Sequence, residues 1–232
     1  MNWFFLNSDK CDAAFNMALD EVLLENVSRL GKPVLRFYGW TEPAATFGYF
    51  QKFSEVERVT HLRPLIRRPT GGGIVPHDSD WTYSFVVPPN HEWHLLKAEE
   101  SYRKIHEWIR GAFAQLKIET ELAEAAKAES GKRKAEIPGA CFAGHEKFDL
   151  LRHGKKIAGA AQRRNRLGLL VQGSVQPPVK IARADWEAAM REVAQQNWKV
   201  DFGNFSPDAI LKARAEELAL EKYSQKGYNQ KR

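Results

Sequence analysis

Cysteine is scarce in this sequence of 232 residues, which contains only Cys11 and Cys141 and no CxxC pair. A structural zinc site or a disulfide framework needs more cysteines at closer spacing, so neither is expected. The sequence also has no run of about 20 apolar residues, the length of a membrane-spanning helix, and no basic segment of the kind that opens a signal sequence. These absences argue against export and membrane insertion, and we expect a cytoplasmic protein.

Two phosphate-binding fingerprints are missing as well. Neither GxxxxGK[ST] nor GxGxxG occurs, so neither a P-loop nor a Rossmann site is predicted. The content of 16 Gly and 11 Pro, with 43% hydrophobic residues, excludes a disordered or fibrous chain. The 35 Lys and Arg outnumber the 29 Asp and Glu, and the formal net charge of +6 suits a polyanion, a membrane surface or an acidic protein partner.

Apolar residues at helical spacing predict helices over residues 12–30, 99–116 and about 186–193. Gly31 supplies a stop for the first of them. Ser206 followed by Pro207 predicts the start of a fourth helix, with Ser206 as the N-cap and Pro207 as the first helical residue. Residues 223–232 are polar, and we expect this tail to fray.

Short runs of β-branched and aromatic residues predict strands at residues 34–38, 45–49, 81–87, 148–152, 156–162 and 169–175. The last three follow one another with turns at 153–154 and 167–168, so we expect them to pair as antiparallel neighbours. Residues 123–136 are rich in Ala, Lys, Glu and Gly, and we expect a surface lid or loop there. The pattern predicts one α+β domain over residues 1–222, followed by the polar tail at 223–232.

The densest chemical signal is the sequence Arg-Arg-Pro-Thr-Gly-Gly-Gly at residues 67–73. Three successive glycines let the backbone approach a ligand closely and leave amide N–H groups for an anionic or carbonyl group, with two arginines beside them. In isolation, such a triplet is more often a turn with solvated arginines. Just after it, His77 and Asp80 resemble part of a metal site, but no second cluster is visible, and a hydrogen-bonded turn is the preferred interpretation.

A second signal is Lys156, which follows Lys155 and enters a strand of small residues. A cation at that point lies where a flat or extended ligand has room against the sheet, although an isolated Lys-Lys pair at a hairpin is more often a solvated turn. A third signal is Cys141, whose thiol beside cationic residues is a candidate nucleophile, with His145 four residues later. Free cysteines are more often inert small residues, and Cys11 is interpreted that way.

Seven segments in this order resemble the lipoate-protein ligase and octanoyltransferase family, and they lie at residues 15–21, 36–40, 48–51, 67–73, 77–78, 82–84 and 154–159. The resemblance covers most of residues 1–200. Among the branches of the family, the sequence most resembles the cysteine-dependent octanoyltransferases, because Cys141 and Phe142 precede the Lys-Ile-Ala-Gly strand at a similar spacing.

The resemblance implies an α+β fold similar to the catalytic domains of biotin and lipoate ligases, with a central mixed, largely antiparallel sheet flanked by helices. It also implies a channel for the octanoyl or lipoyl chain, lined in this family by the glycine segment and the Lys-Ile-Ala-Gly strand. The matching positions here are Arg68, Thr70, Gly71, Gly72, Gly73, His77 and Lys156, with Gly159 and Ala160 leaving room for the chain.

For a cysteine-dependent octanoyltransferase, the resemblance implies that the Cys141 thiolate attacks the thioester of octanoyl-acyl carrier protein and forms an acyl-enzyme. A specific lysine of an apo lipoyl domain or of glycine cleavage H protein then takes the acyl group. Lys156 would stabilise the thiolate and the developing oxyanion, with help from the backbone amides of Gly72 and Gly73. No cofactor or metal is required, and acidic carrier and lipoyl domains would suit the positive charge of the chain.

Two alternatives stay open. A lipoate-protein ligase would use ATP, magnesium and lipoate to form lipoyl-adenylate, with Lys156 touching the carboxylate and the α-phosphate. Many such ligases carry a C-terminal accessory domain, of which the residues after Ser206 show no trace. A basic module that binds nucleic acid through residues 132–134 is the alternative of another class, but its basic residues are scattered among acidic ones. We therefore expect the transferase, with neither a nucleic-acid nor a membrane partner.

Overall fold

The computed structural model describes residues 1–124 and 144–231. Cys141 and all but the first two residues of the predicted lid at 123–136 lie outside this range. The strands are β1 (Asn2–Cys11), β2 (Val34–Trp40), β3 (Ala44–Phe47), β4 (Leu65–Arg67), β5 (Val75–His77), β6 (Trp81–Val87), β7 (Glu121–Leu122), β8 (Leu150–Arg152), β9 (Lys155–Asn165), β10 (Gly168–Val175) and β11 (Asp201–Asn204). The helices are α1 (Ala13–Leu30), α2 (Phe53–Val56), α3 (Glu92–Leu95), α4 (Ala98–Gln115), α5 (Arg183–Trp198), α6 (Ala209–Leu218), a π-helical turn (Ala219–Tyr223) and α7 (Lys226–Asn229).

These strands form a large and a small sheet. In the large sheet the spatial order is β11-β1-β2-β6-β10-β9-β8-β7, and β1 runs parallel to both of its neighbours while the remaining pairs are antiparallel. In the small sheet β3 lies between a parallel β4 and an antiparallel β5. The predicted α+β fold with a mixed, largely antiparallel sheet is confirmed, and β8, β9 and β10 pair as consecutive antiparallel neighbours.

Helices cover both faces of the large sheet because its strands alternate the direction of their apolar side chains. On β6, Phe85 belongs to the hydrophobic cluster with α4 and α5, which includes Trp108 and Trp186. The next residue, Val86, belongs to the opposite cluster, with α1 and α6. Two hydrophobic cores therefore enclose the sheet. Among the described helices, none has the length and apolar character to cross a membrane.

The ends of α1 follow the sequence signals closely. The Asp12 side chain caps the first turn by accepting a hydrogen bond from the Phe15 N–H at 2.8 Å. Gly31 ends the helix in the left-handed conformation, with a φ of 67°, and its N–H donates to the Val27 carbonyl. The helix predicted over residues 12–30 is therefore confirmed within one residue.

The predicted start of the fourth helix is wrong by two residues. Asp208, not Ser206, is the N-cap of α6, and its carboxylate accepts from the Leu211 N–H at 2.8 Å. A carboxylate at the N-cap also interacts favourably with the partial positive charge of the helix N-terminus.

The prediction that residues 223–232 fray is also wrong for the part that the structure describes. Tyr223 is fully buried, and Asn229 in α7 is 7% exposed. The Tyr223 hydroxyl donates to Glu21 in α1 at 2.6 Å, and Asn229 contacts β4. A polar segment is ordered here because its polar groups find buried partners, which composition cannot show.

Candidate functional site

A cavity lies between the two sheets, and most of the residues predicted for substrate binding line it. Its lining comes from α1, from strands of both sheets and from the loop between β4 and β5, and consists of Met17, Tyr38, Thr46, Arg68, Gly72, Val75, His77, Thr82, Gly159, Ala160, Ala161, Gln172, Gly173 and Ser174. Five of the residues predicted for substrate binding are among them. The others, Thr70, Gly71 and Gly73, belong to the same loop as the lining residues Arg68 and Gly72.

The loop of residues 68–73, hereafter the glycine loop, is folded around the Arg68 guanidinium. Arg68 is 4% exposed, and its Nη2 donates to the Gly71 carbonyl at 2.5 Å and to the Gly73 carbonyl at 2.8 Å. Gly72, between them, has a φ of 84°, which favours glycine. A Cβ there would also lie 2.8 Å from Arg68 Nη2. The alternative of a solvated arginine beside a simple turn is therefore wrong for Arg68.

The segment at residues 48–51 packs directly against the glycine loop. The Tyr49 N–H donates to the Thr70 carbonyl at 2.8 Å. A Cβ on Gly48 would collide with the Gly72 carbonyl oxygen, so no other residue fits at position 48 without moving the loop. On the other side, the Thr70 hydroxyl donates to Gln172 Oε1 at 2.8 Å. The glycine loop is thus fixed between the small sheet and β10.

Arg67 and Arg68 are adjacent in sequence but serve different parts of the molecule. Arg67 is fully buried, and its Nη1 donates to the carbonyls of Tyr49 and Gln51, each at 2.7 Å. Its Nη2 donates to the Asn229 carbonyl at 3.0 Å. Arg68 therefore shapes the glycine loop, whereas Arg67 joins the segment after β3 to the C-terminal helix.

His77 sits at the cavity within a buried polar chain. Its Nδ1–H donates to Asp80 Oδ2 at 2.9 Å, since a carboxylate oxygen accepts, and its Nε2 lies 2.8 Å from the Thr46 hydroxyl. The ring stacks on Trp40 at 3.9 Å between centroids. The hydrogen-bonded turn predicted for this segment is confirmed. Within residues 1–124 and 144–231, no group of three or more His, Cys, Asp or Glu residues is arranged to hold a metal ion.

A buried carboxylate on α1 connects that helix to the cavity. Asp20 is fully buried, forms an ion pair with Arg36 at 2.7 Å and accepts from Gln172 Nε2 at 2.8 Å. Ser84 Oγ and the Tyr38 hydroxyl donate to it as well, at 2.7 and 3.1 Å. Because Gln172 also accepts from the glycine loop, Asp20 fixes the amide orientation of a cavity-lining residue.

Lys156 is paired with a carboxylate beside the cavity. Its Nζ lies 2.7 Å from Asp149 Oδ2, and the two side chains are 6% and 8% exposed. A bulge in the pairing of β9 with β8 shifts the strand alternation there. A Cβ on cavity-lining Gly159 would lie 2.9 Å from Nζ, so any residue other than glycine would force the ammonium group to move. The solvated-turn interpretation fits Lys155, which is exposed, and is wrong for Lys156.

Two further buried polar groups lie around this ion pair. His106 on α4 is 1% exposed, and neither ring nitrogen has a hydrogen-bond partner of good geometry. Burial lowers its pKa to about 4, with Lys156 acting in the same direction and Asp149 opposing it. The Tyr83 hydroxyl likewise has no partner, and burial followed by the Asp149 charge raises its pKa. A Cβ on Gly173 would collide with the Tyr83 ring.

Several site residues were not predicted from the sequence. Asp149 had a usable signal, since it lies in the predicted strand at 148–152, next to the strand predicted to carry Lys156. Gln172 had none, because a glutamine in an apolar strand is common, and only its bonds to Asp20 and Thr70 give it a role. His106 also had none, because its position on the apolar face of α4 is typical of packing.

Of the two cysteines, the structure describes only Cys11. Cys141, the predicted nucleophile, lies outside the described residues. Cys11 is half-buried at the end of β1, and burial raises the pKa of its thiol, which disfavours the reactive thiolate. His145 is exposed. The described residues therefore place the glycine loop, His77 and Lys156 around one cavity, and the role of Cys141 stays a prediction.

Sequence comparisons identify the family of this chain. The model of the lipoyl protein ligase A/B catalytic domain matches residues 12–197. Octanoyltransferase LipM of Geobacillus kaustophilus is 40% identical over 181 residues, which cover 75% of this chain and 64% of that protein. Octanoyltransferase LipM of Staphylococcus epidermidis is 36% identical over 186 residues, covering 77% of this chain and 67% of that protein. The chain thus spans less than two thirds of the first relative.

Solved structures show the same fold. Lipoate-protein ligase A bound with ATP superposes with a TM-score of 0.78 at 20% identity, over 99% of both chains. The bi-partite lipoate protein ligase of Thermoplasma acidophilum, studied with its E2 lipoyl domain, superposes with a TM-score of 0.75 at 19% identity, over 99% of this chain and 96% of that chain. Together with the matched residues 12–197, this fold places the chain in the lipoyl protein ligase A/B catalytic domain family.

Proposed function

We propose that this protein is an octanoyltransferase that moves an octanoyl group from acyl carrier protein to a specific lysine of apo lipoyl domains or glycine cleavage H protein. The observation that carries the proposal is the position of Lys156, whose ammonium group is held by Asp149 beside a cavity lined by Gly159 and Ala160. The identity of 36–40% to proteins named octanoyltransferase favours this activity over others in the family.

The proposed reaction has two acyl transfers. In the first, the Cys141 thiolate attacks the thioester carbonyl, the new carbon–sulfur bond forms, and the bond to the carrier thiol breaks, so that this thiol leaves with a proton. In the second, the acceptor lysine amine attacks the Cys141 thioester carbonyl, the carbon–nitrogen bond of the amide forms, and the cysteine sulfur leaves with the proton that the amine loses. Each step passes through a tetrahedral oxyanion, and neither requires ATP or another cofactor.

The described residues supply the oxyanion stabilisation and the acyl site. Lys156 Nζ lies beside cavity-lining Gly159, and it stabilises the thiolate and the developing negative charge. The backbone amides of Gly72 and Gly73 assist, because Arg68 and Thr70 hold that loop in one conformation. The small residues Gly159 and Ala160 leave room for the octanoyl chain, and His77 borders the same space.

A lipoate-protein ligase is the second candidate, and the fold shared with ATP-bound lipoate-protein ligase A favours it. In that case Lys156 would contact the carboxylate of lipoate and the α-phosphate of ATP, and magnesium would accompany the nucleotide. The reaction would proceed through an acyl-adenylate and would not need Cys141.

The deciding experiment uses the protein, octanoyl-acyl carrier protein and apo H protein without ATP, followed by intact-mass spectrometry of all proteins. We expect a mass increase of one octanoyl group on H protein and a transient acyl-enzyme, both lost in Cys141→Ser and both kept in the matched control Cys11→Ser. Transfer by Cys141→Ser at the parental rate would contradict the acyl-enzyme. Modification that starts only after ATP, magnesium and free lipoate are added would establish the ligase instead. A cytoplasmic location is part of the same proposal, since acyl carrier protein is its donor.

A further inference from the structure

The C-terminal segment of residues 219–231, hereafter the C-terminal strap, lies outside the residues that match the family model. It is nevertheless packed onto the domain. Its Tyr223 hydroxyl donates to Glu21 at 2.6 Å, and Lys222 forms an ion pair with the same carboxylate. These two contacts hold the strap on α1. Its last helix, α7, packs against β4.

Asn229 in α7 is the point at which the strap reaches the glycine loop region. Its side-chain Nδ2 donates to the carbonyls of Tyr223 and Gln225, at 2.7 and 3.2 Å, which fixes the amide orientation. Its Oδ1 then accepts from the backbone N–H of Arg67 at 2.8 Å. Its own carbonyl accepts from Arg67 Nη2 at 3.0 Å. One asparagine thus binds both the backbone and the side chain of Arg67.

From Arg67 the contacts continue to the cavity. Arg67 Nη1 donates to the carbonyls of Tyr49 and Gln51. Gln51 Oε1 in turn accepts from the Gly48 N–H at 2.9 Å, and Gly48 packs on the Gly72 carbonyl so closely that a Cβ would collide with it. The Arg67, Gly48 and Gly72 positions therefore depend on one another through short backbone contacts.

We propose that Asn229 is a positioning residue for the glycine loop and that the C-terminal strap completes the acyl-transfer site. This inference rests on the proposed function for the identity of the reaction, but its structural part does not. A positioning residue of this kind acts on the geometry of the Gly72 and Gly73 amides, which stabilise the transition state. Its loss lowers kcat and leaves the KM for the acyl carrier nearly unchanged.

The test combines hydrogen exchange with kinetics on three variants of the full chain. Asn229→Ala removes the side-chain link to Arg67. Lys226→Ala changes an exposed residue of the same helix and is the matched control. Tyr223→Phe removes one hydrogen bond at the other end of the strap but leaves Asn229 and its Arg67 contacts in place. It therefore shows what a general loss of stability in the strap does without loss of the Asn229 link.

We expect peptides covering residues 48–51 and 67–73 to exchange roughly tenfold faster in Asn229→Ala than in the parent, while those from β6 and β10 are unchanged. Neither Lys226→Ala nor Tyr223→Phe should show this local effect. In the transfer assay, kcat of Asn229→Ala should fall roughly tenfold, with the KM for octanoyl-acyl carrier protein within about twofold of the parent.

Unchanged exchange at residues 48–51 and 67–73 in Asn229→Ala would overturn the inference. Faster exchange with an unchanged kcat would also overturn it, since the strap would then hold the loop without serving catalysis. The exchange measurement needs no substrate, so it tests the link from Asn229 to the glycine loop by itself. A protein that transfers no octanoyl group would contradict the proposed function but not this link.

Discussion

The buried carboxylates Asp20 and Asp149 each pair with a cation at 2.7 Å, yet their surroundings differ. Asp20 receives four donors, one each from Arg36, Ser84, Tyr38 and Gln172. Around Asp149 and Lys156, by contrast, the described chain holds two buried polar side chains without good hydrogen bonds, His106 and Tyr83.

From this difference we infer a structural role for the Asp20 cluster and a functional role for the Lys156 cluster. A buried ion pair whose lone pairs and protons are all satisfied holds secondary structure together, and breaking it leaves an unpaired charge. Unsatisfied buried polar groups cost free energy, and a functional role is one reason for which they are retained. The Asp20 cluster is therefore expected to control stability, and the Lys156 cluster to control activity.

Removal of Asp20 should produce the largest loss of stability. Asp20→Ala leaves the fully buried Arg36 guanidinium without its carboxylate, and we expect the free energy of unfolding to fall by about 3–5 kcal/mol. Urea denaturation followed by circular dichroism measures it. Asp149→Ala, measured in parallel, should cost clearly less, and an equal loss would remove the distinction between the two clusters.

Removal of Lys156 should produce the largest loss of activity. Lys156→Ala deletes the cation beside the cavity, and we expect octanoyl transfer to slow by about 10²–10³-fold, as for loss of one oxyanion-stabilising group, while the protein stays folded. The exposed neighbour Lys155 provides the matched control, because Lys155→Ala changes the net charge equally. Full activity in Lys156→Ala would show that the site assignment is wrong.

His106 should make stability fall in acid. Its pKa is about 4 in the folded protein and about 6.5 when unfolded, so the unfolded state binds more protons as the pH falls through 6.5 towards 4. The resulting loss at pH 4 is about 3 kcal/mol relative to pH 7. Unfolding free energies of His106→Leu at both pH values should show a smaller loss than the parent. An identical loss in the variant and the parent would mean that His106 does not titrate in this way.

Substitution of two buried tyrosines by phenylalanine should give the smallest changes in stability, and it compares a paired hydroxyl directly with an unpaired one. Tyr38→Phe removes a hydroxyl that donates to Asp20, and we expect a loss of about 1.5–3 kcal/mol, as for a hydrogen bond to a charged group. Tyr83→Phe removes a buried hydroxyl without a partner and should change stability by less than about 1 kcal/mol in either direction. Thermal unfolding of both variants measures the contrast, which would be contradicted by a larger loss for Tyr83→Phe.

The parts of the fold that could be predicted are those with local signals. The helix over residues 12–30 and the strand at 81–87 have periodic apolar patterns and clear stops, and both are confirmed. Strand β1 has no such pattern in its sequence, because buried and exposed side chains do not alternate regularly along it. The start of α6 was misplaced because Ser206 and Asp208 are both good N-caps, and residue type alone does not choose between them.

The candidate site was predicted in its composition but not in its contacts. The glycine loop, His77 and Lys156 were recognised from their order along the chain, which also indicated the family confirmed by the comparisons. Whether Arg68 points to solvent or to the Gly71 carbonyl could not be read from the sequence. The same limit applies to the partner of Lys156, since the bulge in β9 reverses the face that simple alternation would give.

The sequence by itself determined the secondary structure with strong periodicity, the family and the residue types at the cavity, because these depend on neighbours along the chain. Only the tertiary structure decided which polar groups meet when buried. Asp149 lies seven positions from Lys156, and Asn229 is 162 positions from Arg67, and both pairs depend on how strands and helices pack. A buried polar group needs a partner wherever the fold brings one, so the same residue types are solvated in one protein and form a site in another.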